Sequence, residues 1–494
     1  MLNETIQKVS LRHPDKLFIG GEWVTPYTAS RFEIFDSHSE EVAFTVAEAG
    51  KADVARAVAA ARKAFDTGPW PEMSHAERAD YMRAIAEAFQ RRSDVFARAW
   101  SIETGILFKI AQARIGNILA GPFNYYAMLA DSFAFQERHK SANGMEALLV
   151  REPAGVVAAI VPWNGPGGLM AQKCAPALLA GCTLVVKPSP EAPAEAYLFA
   201  EICEEVGLPA GVVNVLTTDR AASESLVRNP GIDKVTFTGS TAAGRAIATA
   251  CGERIARYTL ELGGKSPAII LDDFDIVTAA KTLAAGCTFL TGQVCHSLTR
   301  IIVRRERHNE MVDALAAQVG ALAIGDPFDP ATDIGPLATG RQRDNVLAHI
   351  ERAVSEGATL AAGGKRPAHL EKGYYVEPTI FGNVDNRSTI GQQEIFGPVL
   401  SVIAADDERH AIELANDTIF GLNASVFTHD VDHFRAVARC LRAGTVGHNA
   451  SRTDSTISFG GFKQSGIGRE GGIDGLMPFL ESKLVVADQP YGGG

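Results

Sequence analysis

The chain has 494 residues, more than one hydrophobic core usually organises, so two or three domains are expected. Hydrophobic residues make up 46% and charged residues 21%, which is ordinary for a globular protein and excludes global disorder. The formal net charge of -11 disfavours nucleic acid and anionic lipid as partners, because such a surface repels their phosphate groups.

The sequence also disfavours a membrane protein and a secreted, disulfide-linked protein. Its most apolar runs, at 155–161 and 268–271, are strand-sized and far short of the ~20 residues of a membrane-spanning helix. Residues 1–16 lack the apolar run of a signal peptide. The seven cysteines are spread singly, with no Cys-x-x-Cys pair, and their number is odd. We therefore expect a cytoplasmic protein with reduced thiols and no membrane partner.

The first part of the chain is predicted to form a hairpin and two helices. Residues 16–25 resemble a short hairpin with a turn at Gly20-Gly21. Residues 52–64 are rich in alanine, and residues 75–98 carry apolar side chains at helical spacing. Both stretches are therefore predicted to be helical.

From residue 154 onward, apolar strand-like runs alternate with helical stretches, which is typical of parallel sheets. The predicted strands are 156–161, 183–186, 213–216, 234–237 and 268–271. The predicted helices between them are 171–179, 192–205 and 221–228. A second alternating block runs from residue 300 to about 441, and the segment after 444 is predicted to be a long ordered loop. Two such blocks imply two nucleotide-binding-like domains with a ligand cleft between them.

Two motifs at predicted strand ends could contact a nucleotide. In Phe237-Thr238-Gly239-Ser240, a strand leads into a helix start, where free N–H groups and the helix dipole favour an anion. An ordinary serine helix cap explains the same residues, and the pattern is not the six-residue Rossmann fingerprint. Lys187 is either a strand-end surface lysine or a nucleotide contact.

Glu261 ends a predicted strand at 258–262 and precedes the double glycine Gly263-Gly264. Burial would raise the pKa of its carboxyl group toward the range of a general base. The alternative is an exposed acid at a strand end, since most acids are solvated.

Cys295 follows a short loop at 291–294 that contains glycine. A thiol becomes a nucleophile when a base is near or its pKa falls, whereas most lone cysteines are small buried hydrophobes. The adjacent His296 suggests a Cys–His dyad. Neighbouring side chains in a strand point to opposite faces, however, which argues against that dyad.

Asn164 follows the strand at 156–161, where its amide could donate to an oxyanion. A proline-bounded turn, with the asparagine bonding its own backbone, is the alternative. Farther along, Glu394 could accept hydrogen bonds from ribose hydroxyls, and Phe396 could pack on a flat ring. Here the alternative is a surface acid beside a core phenylalanine.

Taken in chain order, these motifs resemble the ordered motif set of the aldehyde dehydrogenase superfamily. The resemblance runs from about residue 16 to 485, and it includes the segments 18–23 and 459–466. Its most specific parts are the glutamate segment at 260–267 and the cysteine segment at 292–295. Each motif alone is weak, but their joint order is not credible as chance.

The resemblance implies a role for each residue. Cys295 would add to the aldehyde, Asn164 and the backbone N–H of Cys295 would form the oxyanion hole, and Glu261 would activate water to hydrolyse the thioester. Lys187 is counted with the catalytic residues and with the cofactor contacts. The implied cofactor contacts are Trp163, Lys187, Gly239, Ser240, Glu394 and Phe396, with Thr238 nearby. The cofactor would be NAD, with NADP possible, and no metal is expected.

Three departures from the family pattern bear on specificity. Pro190 stands where the family often has a ribose-binding glutamate, which leaves NADP open although NAD is favoured. Gly165 stands where a bulky aromatic residue is frequent, and Gly447-His448 where tryptophan and an apolar residue are frequent. A roomier substrate tunnel favours a bulky or branched apolar aldehyde.

The implied fold is α/β, with two Rossmann-like doubly wound parallel-sheet domains and a small β oligomerisation arm. We expect a cofactor-binding domain at 1–130 and 151–262 and a catalytic domain at 263–462. Residues 131–150 and 463–494 would form the oligomerisation segment. A homodimer or homotetramer follows by resemblance.

Two other kinds of protein remain possible at this point. A CoA-acylating aldehyde dehydrogenase or a cysteine acyltransferase would also use Cys295. The CoA-acylating type typically lacks the glutamate seen here as Glu261, which favours water as the acyl acceptor. A binding protein on a retained scaffold would be marked by loss of Cys295 or Glu261, and neither is lost.

Overall fold

The structure is a computed structural model that describes residues 9–142 and 144–487. The predicted ranges that begin at residue 1 or end at residue 494 extend beyond the described residues, at 1–8 and 488–494. Asn143, within the predicted arm, also lies outside the described residues.

A sheet of eight strands organises the first half of the chain. Its strands are β1 (Leu17–Ile19), β2 (Glu22–Val24), β7 (Val156–Ile160), β8 (Thr183–Lys187), β9 (Val213–Val215), β10 (Lys234–Thr238), β11 (Arg257–Glu261) and β19 (Gly466–Ile467). Their order is β19-β11-β10-β7-β8-β9-β1-β2. The five strands from β11 to β9 are parallel, whereas β1, β2 and β19 are antiparallel to their neighbours. The strands β7, β8, β9 and β10 are buried on both faces, which explains the apolar sequences of β7 and β8.

Helices before and between these strands cover the sheet. They are α1 (Lys51–Thr67), α2 (His75–Arg91), α3 (Ser93–Thr104), α4 (Phe108–Ser132), α5 (Pro166–Ala180), α6 (Ala194–Glu205), α7 (Arg220–Arg228) and α8 (Thr241–Glu253). The prediction of a single helix over 75–98 is wrong, because the helix is interrupted at Arg92, between α2 and α3. The backbone of Arg92 leaves the helical region, at φ -102° and ψ 11°, and its guanidinium pairs with buried Glu201.

A second sheet of seven strands organises the other half. Its strands are β12 (Ser266–Ile270), β13 (Leu298–Arg304), β14 (Thr359–Ala362), β15 (Thr379–Gly382), β16 (Val399–Ala405), β17 (Asn423–Phe427) and β18 (Thr445–His448). Their order is β14-β15-β16-β13-β12-β17-β18, and all pairs are parallel except β14 with β15. The prediction of one long loop after residue 444 is therefore wrong: β18 adds an edge strand through parallel pairing with β17, and the tail also forms β19, a helix at Gly472–Leu476 and a strand at Leu480–Val486.

Helices of this half pack around the second sheet or lie close to the chain terminus. They are α9 (Ile276–Thr288), α10 (His308–Gly320), α11 (Gly340–Ser355), α12 (Thr389–Gln392), α13 (Glu408–Asn416), α14 (Val431–Cys440) and α15 (Gly472–Leu476). Short 3₁₀ turns lie at Phe289–Gly292, Arg305–Arg307, Lys463–Ser465 and Met477–Phe479. Across the described part of the chain, no helix has both the length and the apolar character to cross a bilayer.

Two smaller antiparallel sheets complete the fold. The hairpin pairs β3 (Arg31–Phe35) with β4 (Val42–Ala47). The other sheet joins β5 (Gln136–Lys140), β6 (Glu146–Pro153) and β20 (Leu480–Val486), in the order β20-β6-β5. Its strands come from the two segments predicted to form the arm. The α/β class with two parallel-sheet units is confirmed, while the domain boundaries stay a prediction.

Candidate active site

Four of the predicted site residues lie at the carboxyl ends of neighbouring parallel strands. From β7 the chain adds β8 and β9 on one side and then returns to place β10 and β11 on the other. Open parallel sheets bind ligands in the crevice at such a reversal. Asn164 and Ser240 follow β7 and β10, and Lys187 and Glu261 end β8 and β11, so all four lie at one edge of the sheet.

Asn164 is held from two sides. The indole Nε1 of Trp100 donates to the backbone carbonyl of Asn164 at 2.9 Å. The side-chain Nδ2 of Asn164 donates to the carbonyl of Gln293 at 2.8 Å, two residues before Cys295. The amide therefore faces the cysteine loop instead of capping its own backbone. Because an amide nitrogen carries two hydrogens, one remains for a ligand.

Cys295 lies in a turn after a strained loop. Leu290, Thr291 and Gly292 all have positive φ, at 48°, 54° and 73°, a region that costs non-glycine residues free energy. The hydroxyl of Thr291 donates to the carbonyl of Gly335 at 3.0 Å, which ties the loop to the body of the protein. Residue Cys295 is partly exposed, although its thiol is largely shielded from solvent.

The surroundings of the Cys295 thiol are acidic. Burial, followed by the carboxyl groups of Glu394 and Glu261, raises the pKa of the thiol to about 12, against the backbone N–H groups of Cys295 and His296. The imidazole of His296 lies 3.1 Å from the hydroxyl of Ser451, and burial lowers its pKa to about 4. The resting thiol is therefore protonated, and the neutral ring of His296 is paired with Ser451 instead of with Cys295.

Cys295 differs from the other six cysteines of the chain, all of which are described. Five of them are buried: Cys174, Cys182, Cys203, Cys251 and Cys287. Cys440 is exposed on the outer helix α14. Only Cys295 combines access with neighbouring titratable groups at the sheet edge.

Glu261 is buried, with 3% of its surface exposed, so the exposed alternative is excluded. Neither carboxyl oxygen has a hydrogen-bond partner among the described residues. Burial and the nearby Glu470 raise its pKa well above the ordinary range, against the opposing charges of Lys173 and Arg469. A Cβ on Gly460 would lie 2.7 Å from one carboxyl oxygen, so a glycine there leaves room for the acid.

An ion pair behind Glu261 was missed in the sequence. Lys173 on α5 is completely buried, pairs with buried Glu470 and donates to the hydroxyl of Thr238 at 2.6 Å. The hydroxyl of Thr236 also donates to Glu470, at 3.5 Å. A lysine inside an otherwise apolar helix was the available signal, since lysines are almost never fully buried without a partner. Its partner could not be found, because it lies near the other end of the chain.

Glu394 and Phe396 face the same crevice from the second half. The backbone N–H of Gly264 donates to Glu394 at 3.2 Å. Burial raises the pKa of Glu394 to about 7, against that N–H and the nearby Lys265. Phe396 has a positive φ of 59°, and its ring lies 5.3 Å from that of Trp163, edge to face. The structure thus brings together residues from both sheets.

The nucleotide side of the crevice holds Lys187, Gly239 and Ser240. The hydroxyl of Ser240 accepts a hydrogen bond from the N–H of Ala243 at 3.3 Å. Ser240 is therefore the N-cap of α8, as in the alternative of an ordinary serine helix cap. The amine of Lys187 makes no hydrogen bond to any residue that the structure describes, although the residue is buried. Burial lowers the pKa of Lys187 to about 8, although the nearby carboxylates of Glu191 and Asp219 act to raise it.

This edge of the sheet fits a dinucleotide. The Lys187 amine, which makes no hydrogen bond to a described residue, and the helix start at Ser240 are both suited to ribose and phosphate oxygens. Glu394 offers a hydroxyl acceptor, and the aromatic pair of Trp163 and Phe396 offers flat apolar surface. The donor set therefore matches a nicotinamide dinucleotide bound between the two sheets.

Known sequences place the chain in one family. Residues 23–485 match the profile of the aldehyde dehydrogenase family. A geranial dehydrogenase of Castellaniella defragrans is 42% identical over 469 residues, which cover 95% of this chain and 98% of the relative. A chloroplastic betaine aldehyde dehydrogenase of Amaranthus hypochondriacus is 40% identical over 497 residues, with 98% and 99% covered.

Solved structures agree. An aldehyde dehydrogenase of Mycobacterium tuberculosis complexed with NAD+ matches with a TM-score of 0.95 and 43% identity, covering 98% of this chain and all of the other. An aldehyde dehydrogenase of Pseudomonas syringae complexed with NAD+ and octanal matches with a TM-score of 0.94 and 37% identity, covering 98% and 99%. The resemblance and the cofactor class predicted from the sequence are confirmed. The chain belongs to the aldehyde dehydrogenase family and is an NAD(P)-dependent oxidoreductase that converts aldehydes to carboxylic acids.

Proposed function

We propose that Cys295 is the nucleophile, Asn164 the oxyanion donor and Glu261 the base of a hydrolytic enzyme. The observation that carries this assignment is a partly exposed cysteine in the loop that anchors the Asn164 amide and within the electrostatic influence of buried Glu261. Two independent anchors on Asn164 support a fixed oxyanion site, which is where electrostatic catalysis acts most strongly.

In the first stage the proton of the Cys295 thiol passes to solvent water, and the sulfur bonds to the carbonyl carbon. The carbonyl oxygen becomes an oxyanion held by the Asn164 amide and the N–H of Cys295. NAD(P)+, when bound, would accept a hydride from this carbon, which would leave the acyl group on sulfur as a thioester. Lys187, Gly239, Ser240, Glu394, Trp163 and Phe396 would hold that cofactor.

In the second stage Glu261 accepts a proton from water as the water oxygen attacks the thioester. The carbon–sulfur bond breaks, the carboxylic acid leaves and the proton held by Glu261 passes to the sulfur, which restores both the Cys295 thiol and the Glu261 carboxylate. Glu261 must be deprotonated to act, and its raised pKa places it nearer to working pH than an ordinary carboxyl group. The charges of the buried Lys173–Glu470 pair act on the pKa of Glu261, Glu470 raising it and Lys173 lowering it.

Cys295→Ala tests the assignment, with Cys440→Ala as its matched control. The first variant should form no reduced nicotinamide from aldehyde, because the hydride donor is the adduct on sulfur. The control changes an exposed thiol on α14 and should keep full activity. Full steady-state activity in Cys295→Ala would end the proposal, and acyl-CoA as the product would point to a CoA-acylating enzyme.

We propose NAD as the preferred cofactor. In dinucleotide-binding sheets, a carboxylate after the second strand favours NAD because it repels a 2′-phosphate. Here that strand is β8, and Glu191 follows it, fixed by the hydroxyl of Ser189 and by Arg341 at 2.8 Å. The ratio of kcat/KM for NAD+ over NADP+ should exceed 1 and should fall in Glu191→Gln.

We propose a bulky or branched apolar aldehyde as substrate. A Cβ on Gly165 would meet only the Leu169 side chain, at 3.9 Å, so the space beside the oxyanion donor is open. The geranial dehydrogenase among the relatives is in keeping with this class. Much higher kcat/KM for short aliphatic aldehydes than for bulky ones would refute it.

We also propose a cytoplasmic homodimer or homotetramer whose arm is the three-stranded sheet. Strand β20 exposes apolar side chains, among them Leu484 and Val486, which supports burial against another subunit. Light scattering after size exclusion measures the subunit number, and a monomer at micromolar concentration would contradict this assembly. The proposed domain boundaries can be checked by limited proteolysis.

A further inference from the structure

The side chain of Gln293 is completely buried two residues before the nucleophile, and all its polar capacity is directed at backbone groups. Its Nε2 donates to the carbonyls of Thr104 at 3.3 Å and of Leu290 at 3.1 Å. Its Oε1 accepts from the N–H of Ala338 at 2.9 Å. A buried amide satisfied on both ends has one orientation, so the backbone at 293 is fixed in space.

These hydrogen bonds join three separate parts of the chain. Thr104 ends helix α3, which belongs to the half that carries the first sheet. Ala338 lies just before helix α11, in the half that carries the second sheet. The hydrogen bonds of Gln293 therefore connect the cysteine loop to both halves of the chain.

The backbone carbonyl of Gln293 is the acceptor for Asn164. That hydrogen bond, at 2.8 Å, is the only one that the described residues give to the amide nitrogen of Asn164. Trp100 fixes the backbone of Asn164, but only Gln293 fixes the rotation of its amide. A shift of the carbonyl at 293 would therefore turn the oxyanion donor.

The loop needs such restraint, because its backbone is strained. Leu290, Thr291 and Gly292 all occupy the left-handed region. A Cβ on Gly292 would lie 2.3 Å from the carbonyl of Gly397, so this part of the loop packs directly on backbone. Strained conformations persist only where the surrounding structure over-determines them. Losing the Gln293 hydrogen bonds would let the loop relax and carry Cys295 with it.

We infer that Gln293 is a positioning residue that holds the Cys295 sulfur and the Asn164 amide at the separation the oxyanion step requires. This inference rests on the roles proposed above for Cys295 and Asn164. The side chain of Gln293 is completely buried and bonded to backbone groups, so Gln293 acts through the carbonyl that orients Asn164. Its loss should therefore slow formation of the thioester and leave aldehyde binding nearly unchanged.

Gln293→Met tests the inference, since methionine keeps the length and removes the hydrogen bonds. The burst of reduced nicotinamide should slow by about 100-fold, the cost typical of small misplacements of reacting groups. The KM for aldehyde should stay within a few-fold. In an Asn164→Ala background the same substitution should slow the burst by only about threefold, because residues that act through one another are not additive.

The matched control is Asn214→Leu. Asn214 is also a fully buried amide with three hydrogen bonds to backbone groups, of Leu184, Gly211 and Gly20, but it lies on β9. Asn214→Leu should lower thermal stability, as Gln293→Met should, but it should leave the burst rate per folded site unchanged. Should Gln293→Met not fold, Gln293→Asn keeps an amide of shorter reach and should give a smaller loss with the same dependence on Asn164.

Two outcomes would overturn the inference: an unchanged burst in the Gln293 variants, or effects of Gln293→Met and Asn164→Ala that multiply in full. Both leave the proposed function intact, provided that Cys295→Ala is inactive. An active Cys295→Ala would instead remove the proposed function itself.

Discussion

Replacing Glu261 by glutamine separates the two chemical stages. The two side chains have nearly the same shape, and neither carboxyl oxygen of Glu261 bonds to a described residue, so the substitution removes no protein hydrogen bond. It removes only the group that takes a proton from water. General-base catalysis contributes about 10²- to 10⁴-fold, so steady-state turnover should fall by about that factor. The corresponding increase in the barrier to hydrolysis is about 3–5 kcal/mol.

The assay is rapid mixing of the variant with aldehyde and saturating NAD+, followed at the absorbance of the reduced nicotinamide. Glu261→Gln should give a burst near one equivalent per active site, followed by slow turnover, because thioester formation does not need the base for water. Cys295→Ala should give no burst and serves as the control. Equal slowing of burst and turnover, or unchanged turnover, would refute the division of labour between Glu261 and Cys295.

Four further predictions follow from the same site. The rate of Cys295 alkylation by iodoacetamide in the cofactor-free enzyme should rise about 100-fold from pH 7 to pH 9, as measured by mass spectrometry of the labelled peptide. The reason is that below a pKa of about 12 each pH unit gives about tenfold more thiolate. Lys187→Met should raise the KM for NAD+ by about 10- to 100-fold in steady-state kinetics, with kcat little changed at saturation. Lys173→Met should lower stability by about 3–5 kcal/mol in thermal unfolding, because it leaves a buried carboxylate without its partner. Gly165→Phe should fold normally and lower the ratio of kcat/KM for bulky over short aldehydes by about tenfold or more.

The central strands could be predicted closely from the sequence. The predicted strand at 183–186 is β8 at Thr183–Lys187, and the one at 234–237 is β10 at Lys234–Thr238. Fully buried parallel strands are short apolar runs bounded by polar or turn residues, so their limits are visible locally. The motifs lie at the ends of these strands, which is why locating the strands also located the candidate site.

Contacts between distant residues could not be predicted. The Lys173–Glu470 pair joins residues 297 positions apart, and nothing near either residue indicates the other. The role of Gln293 depends on Thr104 and Ala338, which only the folded chain brings together. The helix break at Arg92 depends likewise on a partner on α6. Local patterns thus predict strands and motifs, whereas the polar groups that orient the site are set by tertiary structure.

Strand β19 gives the protein a particular order of maturation during synthesis. It pairs with the last two residues of β11, placing Gly466 opposite Glu261, so the end of this edge strand gains its partner only after the second half of the chain has been made. At about 5–20 residues per second, the ribosome needs roughly 10–40 s for the intervening ~200 residues. During that interval a nascent chain carries an open strand edge, which is prone to pairing with other chains. Newly made protein should therefore depend on chaperone protection, and translation stalled before residue 466 should yield aggregating chains.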